Sequence, residues 1–336
     1  VSARILNLIF LLIWTVAFCC YETEAISASM SCPAIIVDLL LGEPVPIETA
    51  LDDMSGTRIV YVGEFHTIMR HHELEVEIIR GLAQRNPNIS LGMEMFTSEQ
   101  QPVIDRWLSS QESVSVLIDN LGEDRWTNLM DYASVLLAAR DLKIPVVGLN
   151  ISNDIVRKVS RGGLESLSEA EKTLVPPDVE PINPLYAKLL SLKLKVHRAF
   201  REKSLKRIIF AQALRDTVMA ANITRYLEGV NTKERLLIVI AGSGHLNYGF
   251  GVPERVKRRI DVTSRIILPS ESGELELSET EKQQAVDIEI SHEDLRFIDQ
   301  RIADYLSVLP IKIDSSDQIK NHWNISEKRS GTEQIQ

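Results

Sequence analysis

Two kinds of apolar pattern alternate along most of this chain. Continuous β-branched runs predict buried strands, and apolar positions three and four residues apart predict helices packed by one face. Arg58–Gly63 (RIVYVG) reads as a strand ending in glycine. Glu73–Arg85 follows as a helix, with Leu74, Ile78, Ile79 and Leu82 on one face. Ile89–Met93 is a second strand, Gln100–Ser110 and Leu129–Asp141 are helices, and Ile144–Leu149 is a third strand. Strands and helices alternating at this spacing form βαβ units on a parallel sheet.

The pattern changes after Asn150. Residues 153–206 hold helical stretches and a proline-rich break at Val175–Pro181, with no strand. A long helix, Leu205–Leu227, leads back to Arg235–Ala241 (RLLIVIA), the clearest strand of all. Pro253 suits the first turn of a helix reaching Arg259, and Ser264–Leu268 is a last strand. The expected fold is therefore α/β: a mainly parallel central sheet flanked by helices, with an inserted all-helical subdomain acting as a lid. Residues 26–152 and 207–270 are the two parts of the core, and 153–206 are the insertion. Residues 26–57 read as a leader with a short helix at Ile47–Met54. Residues 271–336 read as an acidic C-terminal extension, with Ser291 capping a short helix and a frayed end.

Residues 1–25 read as a targeting segment. Ile5–Tyr21 carries no charge and follows Arg4. It is short for a bilayer span and suits a signal-peptide core, with Thr23 and Ala25 as small residues before a cut at Ile26. An uncleaved anchor is the alternative. A lipid on Cys19 or Cys20 is a third reading, disfavoured by Phe18 just before Cys19. These readings place the protein outside the cytoplasm, in a bacterial periplasm or anchored to the outer membrane.

Composition narrows the picture only slightly. With 44% hydrophobic and 25% charged residues, wholesale disorder is excluded. A net charge of −10 argues against a nonspecific nucleic-acid binder. Three clustered cysteines cannot build a four-cysteine zinc site, and cleavage at Ile26 would leave Cys32 alone.

The chemistry gathers at strand ends. The first strand ends in Gly63-Glu64-Phe65-His66, and the late strand in Gly242-Ser243-Gly244-His245. Glu94 follows the second strand. Ligands of open parallel sheets bind at the carboxyl ends of strands. Glu64, His66, Glu94 and His245 thus define either a divalent-metal site or an acid–base cluster, with Arg215 and Asp216 in support. The bland reading is that these are solvated loop residues and caps. His71 and His72 do not form HExxH. Adjacent helical side chains diverge by about 100°, so at most one joins the site and the other is expected in solvent. Gly242-x-Gly244 lacks the third glycine at 247, and neither a Walker loop nor a GxSxG elbow is present. Four Asn-x-Ser/Thr sequons begin at Asn88, Asn150, Asn222 and Asn324.

In the insertion, Tyr186, Leu190, Lys193 and His197 share one helix face. Tyr186 and His197 lie about 16 Å apart along the axis, so one straight helix cannot bring both to one iron. Each suits a separate haem, or a second copy of the chain supplies the partner ligand. Lys193, Lys195, Arg198 and Arg201 suit propionates. The alternative is an amphipathic packing helix whose Tyr and His are partly buried.

Gly63–His66 with the His pair, Gly92–Phe96, Gln212–Ala220 and Ala241–Arg255 (AGSGHLNYGFGVPER) resemble the ChaN family over roughly residues 40–270. These are iron-regulated, haem-binding lipoproteins or exported proteins. The strand-end pattern is also similar to a wider superfamily of erythromycin esterases and Tiki-type proteases. The resemblance implies an α/β core with a helical subdomain, and haems held between two subunits by Tyr and His. On that footing Tyr186, then His197, become the ligand candidates, with Lys193, Arg198 and Arg201 at the propionates. It also implies a homodimer working with an outer-membrane haem receptor or transporter in iron acquisition. The enzyme alternative is a metal-dependent hydrolase built on the strand-end Glu/His cluster.

Overall fold

The structure is a computed structural model and describes residues 34–179, 183–194, 202–229, 235–270 and 292–308. In chain order the elements begin with β1 (Ile35–Asp38), β2 (Glu43–Val45), α1 (Ile47–Ser55), β3 (Ile59–Glu64) and α2 (Met69–Arg85). Then come β4 (Ile89–Thr97), α3 (Gln101–Leu108), α4 (Val114–Asn120), α5 (Ala133–Asp141) and β5 (Val146–Asn150). The helical stretch is α6 (Asn153–Gly162), α7 (Glu169–Lys172), α8 (Pro184–Leu194) and α9 (Glu202–Gly229). Last are β6 (Leu236–Gly242), α10 (Val252–Arg259), β7 (Ser264–Ser270), α11 (His292–Leu295) and β8 (Tyr305–Val308).

The eight strands form one sheet in the order β2-β1-β8-β7-β3-β6-β4-β5. Pairings from β8 through to β5 are all parallel, and β1 runs antiparallel to both β2 and β8. The expected parallel βαβ core is therefore present. β6 lies between β3 and β4, so the three strand ends carrying the polar residues are neighbours.

Alternation along the strands sorts the core into two layers. Val60, Val62, Leu91, Met93, Ile238 and Ile240 face α1 to α5, against Leu74, Ile78, Ile79 and Leu82. Ile59, Tyr61, Leu237, Val239 and Ala241 face the other way, onto Met219, Ala220 and Ile223 of α9 and Val256 of α10. All seven residues of β6 are buried. Each large aliphatic side chain taken out of water there contributes about 1.5–3 kcal/mol, which fixes this strand at the centre.

The described parts of the insertion form helices and turns and hold no strand. α6 starts at Ser152, whose side chain accepts from the Asp154 N–H. Its Ile155, Val156 and Val159 pack on Leu214 and Val218 of α9. α8 docks through Tyr186 and Leu189 onto Phe250. Among the described residues, no helix is long and apolar enough to cross a membrane.

Two parts differ from the sequence expectation. The leader holds the β1–β2 pair as well as the expected helix, and β8 of the C-terminal stretch lies inside the sheet between β1 and β7. An Asp53 carboxylate accepting from both Arg265 and Tyr305 ties α1 to β7 and β8. The targeting segment with Cys19 and Cys20 lies outside the described residues, as do the Ser291 cap and residues 309–336.

Candidate functional site

Strand alternation decides which way each polar end points. Glu64 continues the Val60–Val62 face and so meets α2. Glu94 has the opposite parity to Leu91 and Met93 and so meets α9. The result is a continuous polar array across the sheet edge, spanning both helical layers.

On the α2 side, Glu64 is 1% exposed. Its Oε1 accepts from the Tyr132 hydroxyl at 2.6 Å and lies 2.9 Å from His66 Nδ1. Its Oε2 lies 3.1 Å from His72 Nε2. Burial alone would raise the Glu64 carboxyl. The hydrogen bonds from His66 and His72 and the His66 charge outweigh it, bringing the group down to about 2. His66 is raised, its burial being overcome by Glu64 and Glu94. Its side chain, 34% exposed, is the one that meets solvent, edge-on to Trp126.

Neither His71 nor His72 is in solvent. His71 is buried, and its Nδ1 accepts from the Phe65 N–H at 2.9 Å. Burial brings it down to about 4, so it is neutral. His72 is fully buried, with Nδ1 donating to the Asp131 carbonyl at 3.0 Å. The 100° argument places one histidine at the site. It misses that the chain entering α2 folds back over the other. Glu75, one turn beyond His72, is also buried, and neither of its oxygens has a hydrogen-bond partner. Burial and the nearby Glu64 charge push its carboxyl well up.

On the α9 side, His245 sits between two carboxylates. Its Nδ1 is 2.5 Å from Asp216 Oδ1, and its Nε2 is 3.2 Å from Glu94 Oε1. Burial disfavours the charge. The Glu94 and Asp216 carboxylates reverse this and raise His245 to about 10. Burial would likewise raise Glu94. The His245 charge and hydrogen bond, His66 and the Gly242 N–H instead lower it to about 2. At neutral pH His245 is therefore an imidazolium, suited to donate a proton or to stabilise an anion.

Two glycines are required here. A Cβ on Gly242 would meet His66 Nε2 at 2.9 Å. Gly251 has φ of +71°, and a Cβ there would lie 2.4 Å from the His245 carbonyl oxygen. Arg215 donates to Asn150 and Asn153. The Asn150 side chain in turn donates to the Glu94 carbonyl at 3.0 Å. Asn150 and Asn222 are buried, which removes those two sequons as glycan acceptors.

Tyr186 joins the same array. It is 1% exposed and stacks on Phe250, and its hydroxyl donates to the Gly244 carbonyl at 2.8 Å. Gln212, which was not among the candidate site residues, donates to Tyr186 at 3.4 Å and places its amide 2.9 Å from His245 Nδ1. Burial raises the Tyr186 phenol well above its ordinary value. The tyrosine is thus neutral and already engaged, and as placed it is not offered to a porphyrin. His197, Arg198 and Arg201 and the Lys193 side chain lie outside the described residues. The described residues do not by themselves complete a haem site.

The sheet and its strand-end array define an α/β protein with a buried acid–base crevice under a helical insertion. A family model described as "Haem-binding uptake, Tiki superfamily, ChaN" matches residues 50–256, more than half of the chain, and the chain belongs to this family. Among solved structures, the chain is similar to the one described as "Cofacial heme binding to ChaN of Campylobacter jejuni". That match has a TM-score of 0.62 at 17% identity, covering 83% of this chain and 98% of that one. A weaker structural match is an erythromycin esterase mutant, with a TM-score of 0.41 at 16% identity, covering 66% of this chain and 72% of that one. A curated relative, Protein RETICULATA-RELATED 5, chloroplastic, from Arabidopsis thaliana, is 25% identical over 252 residues. These cover 68% of this chain and 34% of that protein, so the chain spans about a third of the relative's length.

Proposed function

We propose that this protein binds haem for uptake or storage of haem iron, passing the haem on unchanged. The observation that carries this is the family match over residues 50–256. The α8–α9 segment supplies the ligands, between Tyr186 and Arg201. His197 is the other ligand candidate in this segment. Tyr186 joins only if its hydroxyl exchanges the Gly244 carbonyl for iron, which ties haem capture to movement of α8 away from the crevice. In this reading Lys193, Arg198 and Arg201 are the partners of the propionates. A homodimer covering the porphyrin faces fits the cofacial arrangement named for the Campylobacter protein. Covering those faces is the main source of porphyrin affinity.

The test is a haemin titration of the purified chain followed at the Soret band, repeated with Tyr186→Phe and His197→Ala. A saturable band that weakens about tenfold or more in His197→Ala supports the assignment. An unchanged titration in both variants and in the double variant removes these ligands.

Export is part of the same proposal, with residues 1–25 as the signal, Cys19 or Cys20 as a lipid site, and a receptor or transporter at the outer membrane as partner. The plant relative's chloroplastic designation offers a plastid leader as the competing reading. Amino-terminal sequencing of mature protein separates them, since the export reading predicts a start at Ile26.

A second reading is a hydrolase centred on His245, favoured by its placement between Glu94 and Asp216. Because His245 is protonated at neutral pH, it would serve as acid or anion-binding group, with His66 the group open to solvent. Ester and peptide panels with and without His66→Ala test it.

A further inference from the structure

We propose that Glu64, His72 and Glu75 bind one divalent transition-metal ion, at a site separate from the haem ligands and from His245. One ligand atom from each residue lies within 4.8 Å of the others, and all three residues are buried.

The orientation of His72 is the first argument. The Asp131 carbonyl can only accept, so the Nδ1 facing it carries the proton. The other ring nitrogen, Nε2, faces Glu64 Oε2 at 3.1 Å, on the side of the ring where Glu75 also lies. A backbone carbonyl holding the far N–H is also the partner that metal-bound histidines carry.

Glu75 is the second, independent argument. It is 1% exposed, neither carboxyl oxygen has a donor within reach, and the acid facing it is Glu64. A buried polar group left in this way is costly unless a partner completes it. His72 and Glu75 are three residues apart on α2, so they share a face. Carboxylate–histidine pairs at this spacing serve as metal ligands inside helical bundles. β3 delivers Glu64 to the same point, and Tyr132 and His66 occupy only its other oxygen.

Charge and donor type select the ion. Two carboxylates balance a double positive charge in a dry site. One nitrogen and two oxygens suit zinc, ferrous iron or manganese better than calcium or magnesium, which prefer oxygen alone. His245 is a poor ligand by the same logic, since carboxylates flank both of its ring nitrogens.

The site does not depend on the haem reading. The full chain, stripped with chelator, would be titrated with Co²⁺ and with Zn²⁺, with uptake read by elemental analysis and Co²⁺ absorption. One ion per chain is expected, bound at least about 100-fold more weakly in Glu75→Gln. No stoichiometric uptake, or equal affinity in Glu75→Gln, overturns the site. A cobalt anomalous map of wild-type crystals avoids any folding defect of a variant. A peak among Glu64, His72 and Glu75 supports the assignment, and a peak at His245 contradicts it. Haemin titration of Glu75→Gln should match wild type, so failure of the metal site and failure of haem binding are told apart.

Discussion

At the scale of single residues, the array is held by buried charges. Glu64 and Glu94, ordinarily near 4.5, sit at about 2 when folded. Their stabilisation is complete above about pH 5 and is lost as the pH falls towards 2. His245 rises from 6.5 to about 10, so its stabilisation is complete below about pH 6 and fades as the pH climbs through 10. Thermal unfolding against pH should therefore show greatest stability near pH 5–6, with a decline on both sides. Stability still rising between pH 8 and 10 would refute the His245 assignment. Glu94→Gln breaks the buried pair and should cost about 3–5 kcal/mol in chemical denaturation. Gly251→Ala combines a left-handed backbone with a Cβ pressed on the His245 carbonyl, and should cost at least about 2 kcal/mol. At Gly242 the nearest neighbour is the movable His66 ring, so Gly242→Ala should disturb His66 more than it lowers stability.

At the scale of elements, legibility followed burial. β3, β4 and β6 were plain in the sequence because each is a buried run long enough to show its character. β1, β2 and β8 have three or four residues of mixed exposure, too few for a period to emerge. The strand-end motif placed Glu64, His66, Glu94 and His245 together because strand ends in a parallel sheet share one edge. Glu75 was missed because a glutamate amid Leu74, Val76 and Glu77 looks like a solvated helix position. Only tertiary packing reveals that it points inward. β8 lies between β7 and β1, held by Asp53 through Tyr305. Truncation after residue 300 should expose the β7 edge and release β1–β2, seen as a lower unfolding midpoint and a tendency to self-associate. An unchanged midpoint would show that β8 adds nothing to the sheet.

At the scale of the molecule, the structure links two regions that the sequence kept apart. The strand-end array and the insertion meet where Gln212 approaches both His245 and Tyr186. In the haem reading, use of Tyr186 as a ligand would free the Gly244 carbonyl beside His245 and so couple α8 to the array. Family membership makes haem binding the central claim, and a Soret titration of the wild-type chain tests it most directly. The account predicts a saturable band, with the chain becoming dimeric as the band fills. A featureless titration that follows free haemin at every ratio would contradict it.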